Sequence, residues 1–388
     1  MPEPDAILQE TRQNPGEITD ADVIVGIPTY NNAETIEGVV EAAVGGLSNR
    51  LSSLRAVVVN ADGGSRDGTP DRLRGLLNGH IPLVQAVYPI YPVHLMAPPI
   101  AGVPGRAEAL RSILRHGERL GVKACAVLDA GVEKLDPEWI GHLLDPVLNH
   151  GYDLVAPCYL RHKFEGAISN GLVYPFVRAL YGRRVRQPMP SELAFSSQLI
   201  GNYASEAPAD PWSLTPAILG RFQICQTFLG PHQHPAKDLS PDLSSTLAQV
   251  LGSLFEEMAV NSGRMIESFR LGYQDLQGVW SQILSPAALL EYKKLSRLTE
   301  AQFRLADDLW ARTVYDFGLA WHLRVMDRDH LLRAITPLYL GWAASSVLET
   351  QTAGPEEVEA RQERLCLAFE LQKRYLISRW RWPDRFNP

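Results

Sequence analysis

Cysteine is scarce in this chain. Only Cys125, Cys158, Cys225 and Cys366 occur in 388 residues, far apart and without a CxxC pair. That spacing argues against a zinc ribbon or a disulfide framework and predicts reduced thiols in the core. Basic charge is also short: 37 Lys and Arg stand against 44 Asp and Glu, a net charge of −7, which speaks against a general nucleic-acid binder. No apolar run approaches the ~20 residues that cross a bilayer, so no membrane span is expected. The opening MPEPDAILQETRQNPGEITDAD has neither the basic region nor the apolar core of a secretory signal, and the expected compartment is cytoplasmic. No basic amphipathic helix is evident, which, with the lack of a membrane segment, weighs against a lipid acceptor. No GxGxxG follows the first strand-like run, which argues against a generic dinucleotide dehydrogenase. Repeats of fixed period and low-complexity tracts are missing too.

What is present is an alternation. VIVGIPTYNNAETI and, about thirty residues on, VVVNADGGSRDGT are β-branched apolar runs that stop at small polar residues, the mark of buried parallel strands ending in loops. Between them AETIEGVVEAAVGGL has apolar residues at helical spacing. Further on, LVQAV, ACAVLDAG and DLVAPCYL read as strands. GRAEALRSILRHGERLG and DPEWIGHLLDPVLNHG read as helices, the latter with Asp136 as a cap and Pro137 in the first turn. Strand–helix alternation of this kind predicts a doubly wound, mostly parallel α/β sheet, in which ligands bind at the carboxyl ends of the strands. From 242 onward the spacing is helical throughout. The expected organisation is therefore a polar leader (1–21), an α/β domain (22–241) and an α-helical C-terminal domain (242–388). The last segment, PEEVEARQERLCLAFELQKRYLISRW, reads as one helix with Glu356 and Glu357 at its start and Lys373, Arg374 and Arg379 towards its end, matching the helix dipole. Trp310, Tyr315, Trp321, Tyr339 and Trp342 are expected in the core or at an oligomer interface, since aromatics dominate burial.

Six segments carry candidate chemistry. Pro28, Thr29, Tyr30, Asn31, Asn32 and Glu34 lie where a strand enters a helix N-terminus, which suits a base or a phosphate. In ADGGSRDGT, Asp62 ends a strand, Gly63 and Gly64 allow close approach, and Asp67 can cap the next helix. VPGRAEAL holds Gly105, Arg106 and Glu108. VLDAGVEKLD holds Asp129, Glu133 and Asp136. RQPMPSEL holds Gln187 and Glu192. FLGPHQH holds His232 and His234.

In this order the segments resemble the GT-A fold, family 2-like glycosyltransferases, in the branch containing the glucosyl-3-phosphoglycerate and mannosylglycerate synthases. The resemblance covers roughly residues 22–250 and implies a GT-A sheet of Rossmann-like type. It implies a retaining transfer of a hexose from a nucleotide diphosphate sugar to a small polar acceptor, glycerate or 3-phosphoglycerate, of the compatible-solute type. Pro28, Thr29, Tyr30, Asn32, Glu34, Asp62, Gly105, Arg106 and Asp129 would bind a GDP- or UDP-sugar. Arg106, Asp129 and Glu192 would be catalytic, and Asp129, Glu133 and His234 would hold Mg²⁺ or Mn²⁺. Arg161, Lys163, Gln187 and Glu192 would face the acceptor. Two departures stand out: Arg106 replaces the family's lysine, and Gly131 replaces the second aspartate of its Asp-x-Asp. Gly131 keeps open two alternatives, a GT-A enzyme with another acceptor and a catalytically degraded sugar-nucleotide-binding protein. The helical domain is a candidate homodimer interface.

Overall fold

The structure is a computed structural model. It describes residues 10–11, 18–74, 76, 80–91, 94, 103–160, 169–206, 212–231, 262–263 and 265–382. The chain divides into two compact units.

The first unit is built on an eight-stranded sheet. Its strands are β1 (Glu10–Thr11), β2 (Val23–Thr29), β3 (Ala56–Asp62), β4 (Leu83–Val87), β5 (Ala124–Val127), β6 (Leu154–Leu160), β7 (Leu193–Ser196) and β8 (Ile224–Pro231), in the spatial order β1-β4-β3-β2-β5-β7-β6-β8. Every residue of β2 is buried, as its unbroken apolar run requires of a central parallel strand. Gly26 interrupts that run for a steric reason: a Cβ there would lie 2.3 Å from Ile113 Cγ2, on the helix Arg106–Arg119 that crosses the strand. The helices Ile36–Arg50 and Glu138–His150 supply Val39, Val40, Leu47, Ile140, Leu143 and Leu144 to the same core as Val23, Val25 and Ile27. Asp136 Oδ1 accepts from the Glu138 amide at 3.0 Å, but the cap position is Pro137, one residue later than expected.

The α/β expectation holds: β4-β3-β2-β5 are mutually parallel, and β6 pairs parallel with β8. Two strands run the other way. β1 pairs antiparallel with the edge strand β4, so part of the expected polar leader is sheet. β7 pairs antiparallel with both β5 and β6. Cys125 is buried, Cys158 and Cys225 are half-buried, and none of the three forms a disulfide; burial raises the Cys225 thiol to about 11.

The second unit is helical and contains more than the C-terminal segment. Residues 169–186 belong with it, as the short π-helix Ser169–Val173 and the helix Tyr174–Tyr181, where the expected boundary at 241/242 placed them in the first domain. Its described residues also form helices over 265–280, Pro286–Leu295, Asp307–Leu323, Arg328–Thr350, Pro355–Leu371 and Lys373–Arg381, with a 3-10 turn at Glu300–Gln302. Trp310 and Trp342 stack at 5.8 Å between centroids, and Trp310 Nε1 donates to the Gly171 carbonyl at 2.9 Å. A Cβ on Gly171 would meet the Trp342 ring at 2.1 Å, so this glycine makes room for the ring. Trp310, Tyr315, Tyr339 and Trp342 are buried as expected; Trp321 is 39% exposed.

One helix is not as read. The segment 355–381 breaks at Gln372 into two helices, so Lys373 and Arg374 open a new helix instead of closing a long one. The break accompanies a tertiary demand: Tyr375 and Arg379 both turn onto the buried carboxylate of Asp316, at 2.8 Å each. Among the described residues, His330–Thr350 is the one helix long and apolar enough by composition to cross a membrane, although no such run was expected; 56% of its apolar window is buried within the protein, as in a core helix.

Candidate active site at the carboxyl edge of the sheet

The first two motifs knit together. Asp62, at the end of β3, accepts from the Thr29 hydroxyl (2.9 Å), the Ser65 hydroxyl (2.6 Å) and the amides of Gly64 and Ser65 (2.8 Å each). Four bonds are the usual complement of a carboxylate. Asn32 Oδ1 accepts from the Tyr30 amide at 2.8 Å, and the Asn32 amide donates to Thr69 Oγ1 at 2.8 Å. The Asn31 amide donates to Ser65 Oγ, the Arg66 amide to Asn31 Oδ1 and the Ala33 amide to Asp67 Oδ2. Asn31 adopts a left-handed φ of 56° to close this turn, a conformation asparagine tolerates. Burial alone raises the Asp67 carboxyl. The hydrogen bonds from the Thr69 hydroxyl and from the Ala33 and Thr69 amides outweigh it and hold that carboxyl below its ordinary range. Thr29, Asn32 and Asp62 are therefore engaged in shaping the two loops. Glu34 is exposed, Tyr30 is half-buried at the rim, and Pro28 is buried in β2.

The other motifs join by further contacts. The Thr35 hydroxyl donates to the Ala130 carbonyl at 2.5 Å, tying the first motif to the fourth. Tyr88, just after β4, donates from its hydroxyl to the Pro104 carbonyl at 2.9 Å. That hydroxyl would lie 2.6 Å from a Cβ on Gly63, so Tyr88 links the second motif to the third. Burial, with the Asp62 carboxylate adding to it, pushes the Tyr88 phenol well above its usual range and keeps it a donor. Gly105 sits at φ 63°, where a side chain is strained, and precedes the helix Arg106–Arg119.

Arg106 is nine-tenths buried. Its guanidinium lies 3.5 Å from the centroid of Trp212 and donates to the Pro190 carbonyl at 2.7 Å, while Trp212 Nε1 donates back to the Arg106 carbonyl. The third motif thus holds the fifth. Pro190 is two residues before Glu192, and the direction of β7 determines where Glu192 goes. The register runs from Ala124↔Ser196 to Val127↔Leu193, so the residue before Leu193 emerges at the carboxyl edge of β5, where Asp129 stands. Glu192 is wholly buried and accepts from the Tyr159 hydroxyl of β6. Gln187 is half-buried and opens this loop.

Asp129 is buried, and its Oδ1 accepts from the Gly131 amide at 2.7 Å, so Gly131 closes a turn at the position where an Asp-x-Asp pair would carry its second carboxylate. Glu133 is exposed. Among the described residues no three His, Cys, Asp or Glu side chains gather as a metal cage. His232 and His234 lie outside the described residues, as do Arg161 and Lys163. One buried carboxylate is a donor set that fits Mg²⁺, which keeps water and substrate phosphates for most of its ligands.

Sequence reasoning missed Tyr88, Tyr159 and Trp212. Trp212 had a signal, as a lone aromatic in the polar, proline-rich stretch PADPWSLTP. Tyr88 and Tyr159 had none beyond lying in or just after strands.

No protein-family model matches the chain, and no curated protein does. Solved structures of glucosyl-3-phosphoglycerate synthase from Mycobacterium tuberculosis are similar to it. The complex with Mn²⁺, UDP and glucosyl-3-phosphoglycerate is 21% identical over 62% of this chain and 84% of that one, with a TM-score of 0.41. The complex with Mn²⁺, UDP-glucose and phosphoglyceric acid is 19% identical over 63% and 85%, with a TM-score of 0.42. The complex with Mn²⁺, UDP-glucose and glycerol 3-phosphate is 20% identical over 62% and 84%, with a TM-score of 0.41. Likeness at this level bears on neither substrate nor mechanism.

Proposed function

We propose that this chain is a nucleotide-sugar-dependent hexosyltransferase that retains configuration and acts on a small polar acceptor such as glycerate or 3-phosphoglycerate. One observation carries the reading. The antiparallel β7 delivers Glu192 to the strand edge that bears Asp129, and Arg106 fastens the intervening loop at Pro190. The base and ribose of a UDP- or GDP-sugar would lie against the loops of Pro28–Glu34 and Asp62–Thr69. Because the side chains of Thr29, Asn32 and Asp62 hold those loops, their contribution is a shaped backbone surface, with Tyr30 and Glu34 at its rim. Asp129, with Glu133 and His234, would hold Mg²⁺ or Mn²⁺, which when bound supplies positive charge against the departing diphosphate. Arg106 adds a fixed cation on that side and positions Glu192. Glu192, kept in place by Tyr159, would orient the acceptor hydroxyl with Gln187, and Arg161 and Lys163 would meet the acceptor's carboxylate or phosphate. Stabilisation is mainly electrostatic, from groups set before the substrate arrives.

The test is release of nucleoside diphosphate from UDP-glucose, GDP-glucose and GDP-mannose, with and without Mg²⁺ or Mn²⁺, in the presence of each acceptor. One donor should turn over in a metal-dependent way, and Asp129→Asn should lower kcat on the order of 100-fold or more. A donor that binds without hydrolysis or transfer would leave the catalytically degraded sugar-nucleotide-binding protein as the better reading.

A further inference from the structure

The break at Gln372 creates a surface that a single long helix would not have. The helix Lys373–Arg381, KRYLISRWR, contains no acid. Arg379 is used internally, donating to Asp316 at 2.8 Å and to the Ile283 carbonyl at 3.0 Å. Lys373, Arg374 and Arg381 are exposed. So are Ile377 (50%), Trp380 (45%) and Trp382 (61%), and Leu371 before the break (76%). The His322 ring stacks on Trp380 at 4.8 Å, which brings the end of the helix Asp307–Leu323 alongside. That end adds exposed Trp321, Leu323, Arg324 and Val325. Among the described residues, Glu370 beside the break accepts from Arg178, and the exposed Asp327 accepts from the His330 amide.

Large apolar side chains exposed together mark a surface that meets something. Their company here is selective: three tryptophans, four cations and no acid on the helix itself, in a chain whose net charge is −7. Tryptophan and the long stems of lysine and arginine suit a boundary that is apolar on one side and anionic on the other. A second copy of this chain suits it poorly. A two-fold contact through this face would gather Arg324, Lys373, Arg374 and Arg381 of both copies into one like-charged interface. We propose that this face docks on an anionic lipid surface, with Ile377, Trp380 and Trp382 entering the headgroup boundary and the cations meeting lipid phosphates. The inference does not depend on the transferase reading.

The experiment is co-sedimentation of the full chain with phosphatidylcholine vesicles, with and without phosphatidylglycerol, read together with tryptophan fluorescence. Binding is expected only with phosphatidylglycerol, with a blue shift, and it should weaken as salt rises. Lys373→Gln/Arg374→Gln/Arg381→Gln should bind on the order of 100-fold more weakly. Trp380→Ser/Trp382→Ser should lose the blue shift, with circular dichroism and melting curves confirming that both variants fold. No binding at low salt, or equal binding by the triple variant, would overturn the proposal. So would a dimer of the wild type that Trp380→Ser/Trp382→Ser dissociates while vesicles are ignored.

Discussion

Asp62 shows how far a residue's type and its position can diverge in meaning. A carboxylate at the end of a parallel strand reads as a ligand acceptor, yet its oxygens are occupied by Thr29, Gly64 and Ser65. Its removal should therefore be a stability event. Asp62→Asn turns one acceptor into a donor facing other donors. It should cost about 2 kcal/mol and lower the melting temperature without any ligand present. An unchanged melting curve would return Asp62 to the role of a ligand group. Arg106 carries the same lesson. The sequence showed a cation beside a glycine turn, whereas its stacking on Trp212, 106 residues away, came only with the fold.

The helices of the second unit are pinned by buried charge as well as by apolar faces. Arg178 pairs with Glu363 and Glu370, Arg361 with Asp307 and Glu349, and Arg379 with Asp316. Burial raises the Asp316 carboxyl, and Arg379 is the main influence opposing that rise. Removing one partner of such a pair strands the other charge. Asp316→Asn should destabilise by about 3–5 kcal/mol, and chemical denaturation should show it as a lowered midpoint. A loss below about 1 kcal/mol would mean Arg379 finds water once the carboxylate is gone. The break at Gln372 could not be read from periodicity, because apolar spacing continues through it. It coincides with the reach of Tyr375 and Arg379 to Asp316, a contact across the fold.

Across the whole molecule, acid sensitivity follows from carboxylates with depressed pKa values in both units. The Arg55 amide and Lys123 lower Asp22, hydrogen bonds from Thr69 and Ala33 lower Asp67 against the rise from burial, and Arg178 lowers Glu363. A folded-state pKa below the unfolded one adds stability that is fully present above about pH 4.5 and is lost as pH falls through the folded value. Asp307 and Asp316, raised by burial, act in the opposite sense and soften the fall. Glu363→Gln should flatten the loss of unfolding free energy between about pH 5 and pH 3, since it removes one group that takes up a proton on unfolding. An unchanged slope would show that the Arg178 pair does not persist in solution.

The sequence by itself determined the alternation of buried strands and helices, the helical character of the described residues from 262 onward, and the placing of most motifs at strand ends. It could do so because each depends on the apolar period of a short local stretch. Only the tertiary structure decided which polar groups are engaged with each other, that residues 169–186 join the helical unit, and that β7 runs backwards to carry Glu192 to Asp129's edge. Those outcomes depend on pairings between residues tens to hundreds of positions apart, and a strand's direction leaves no mark on its own composition.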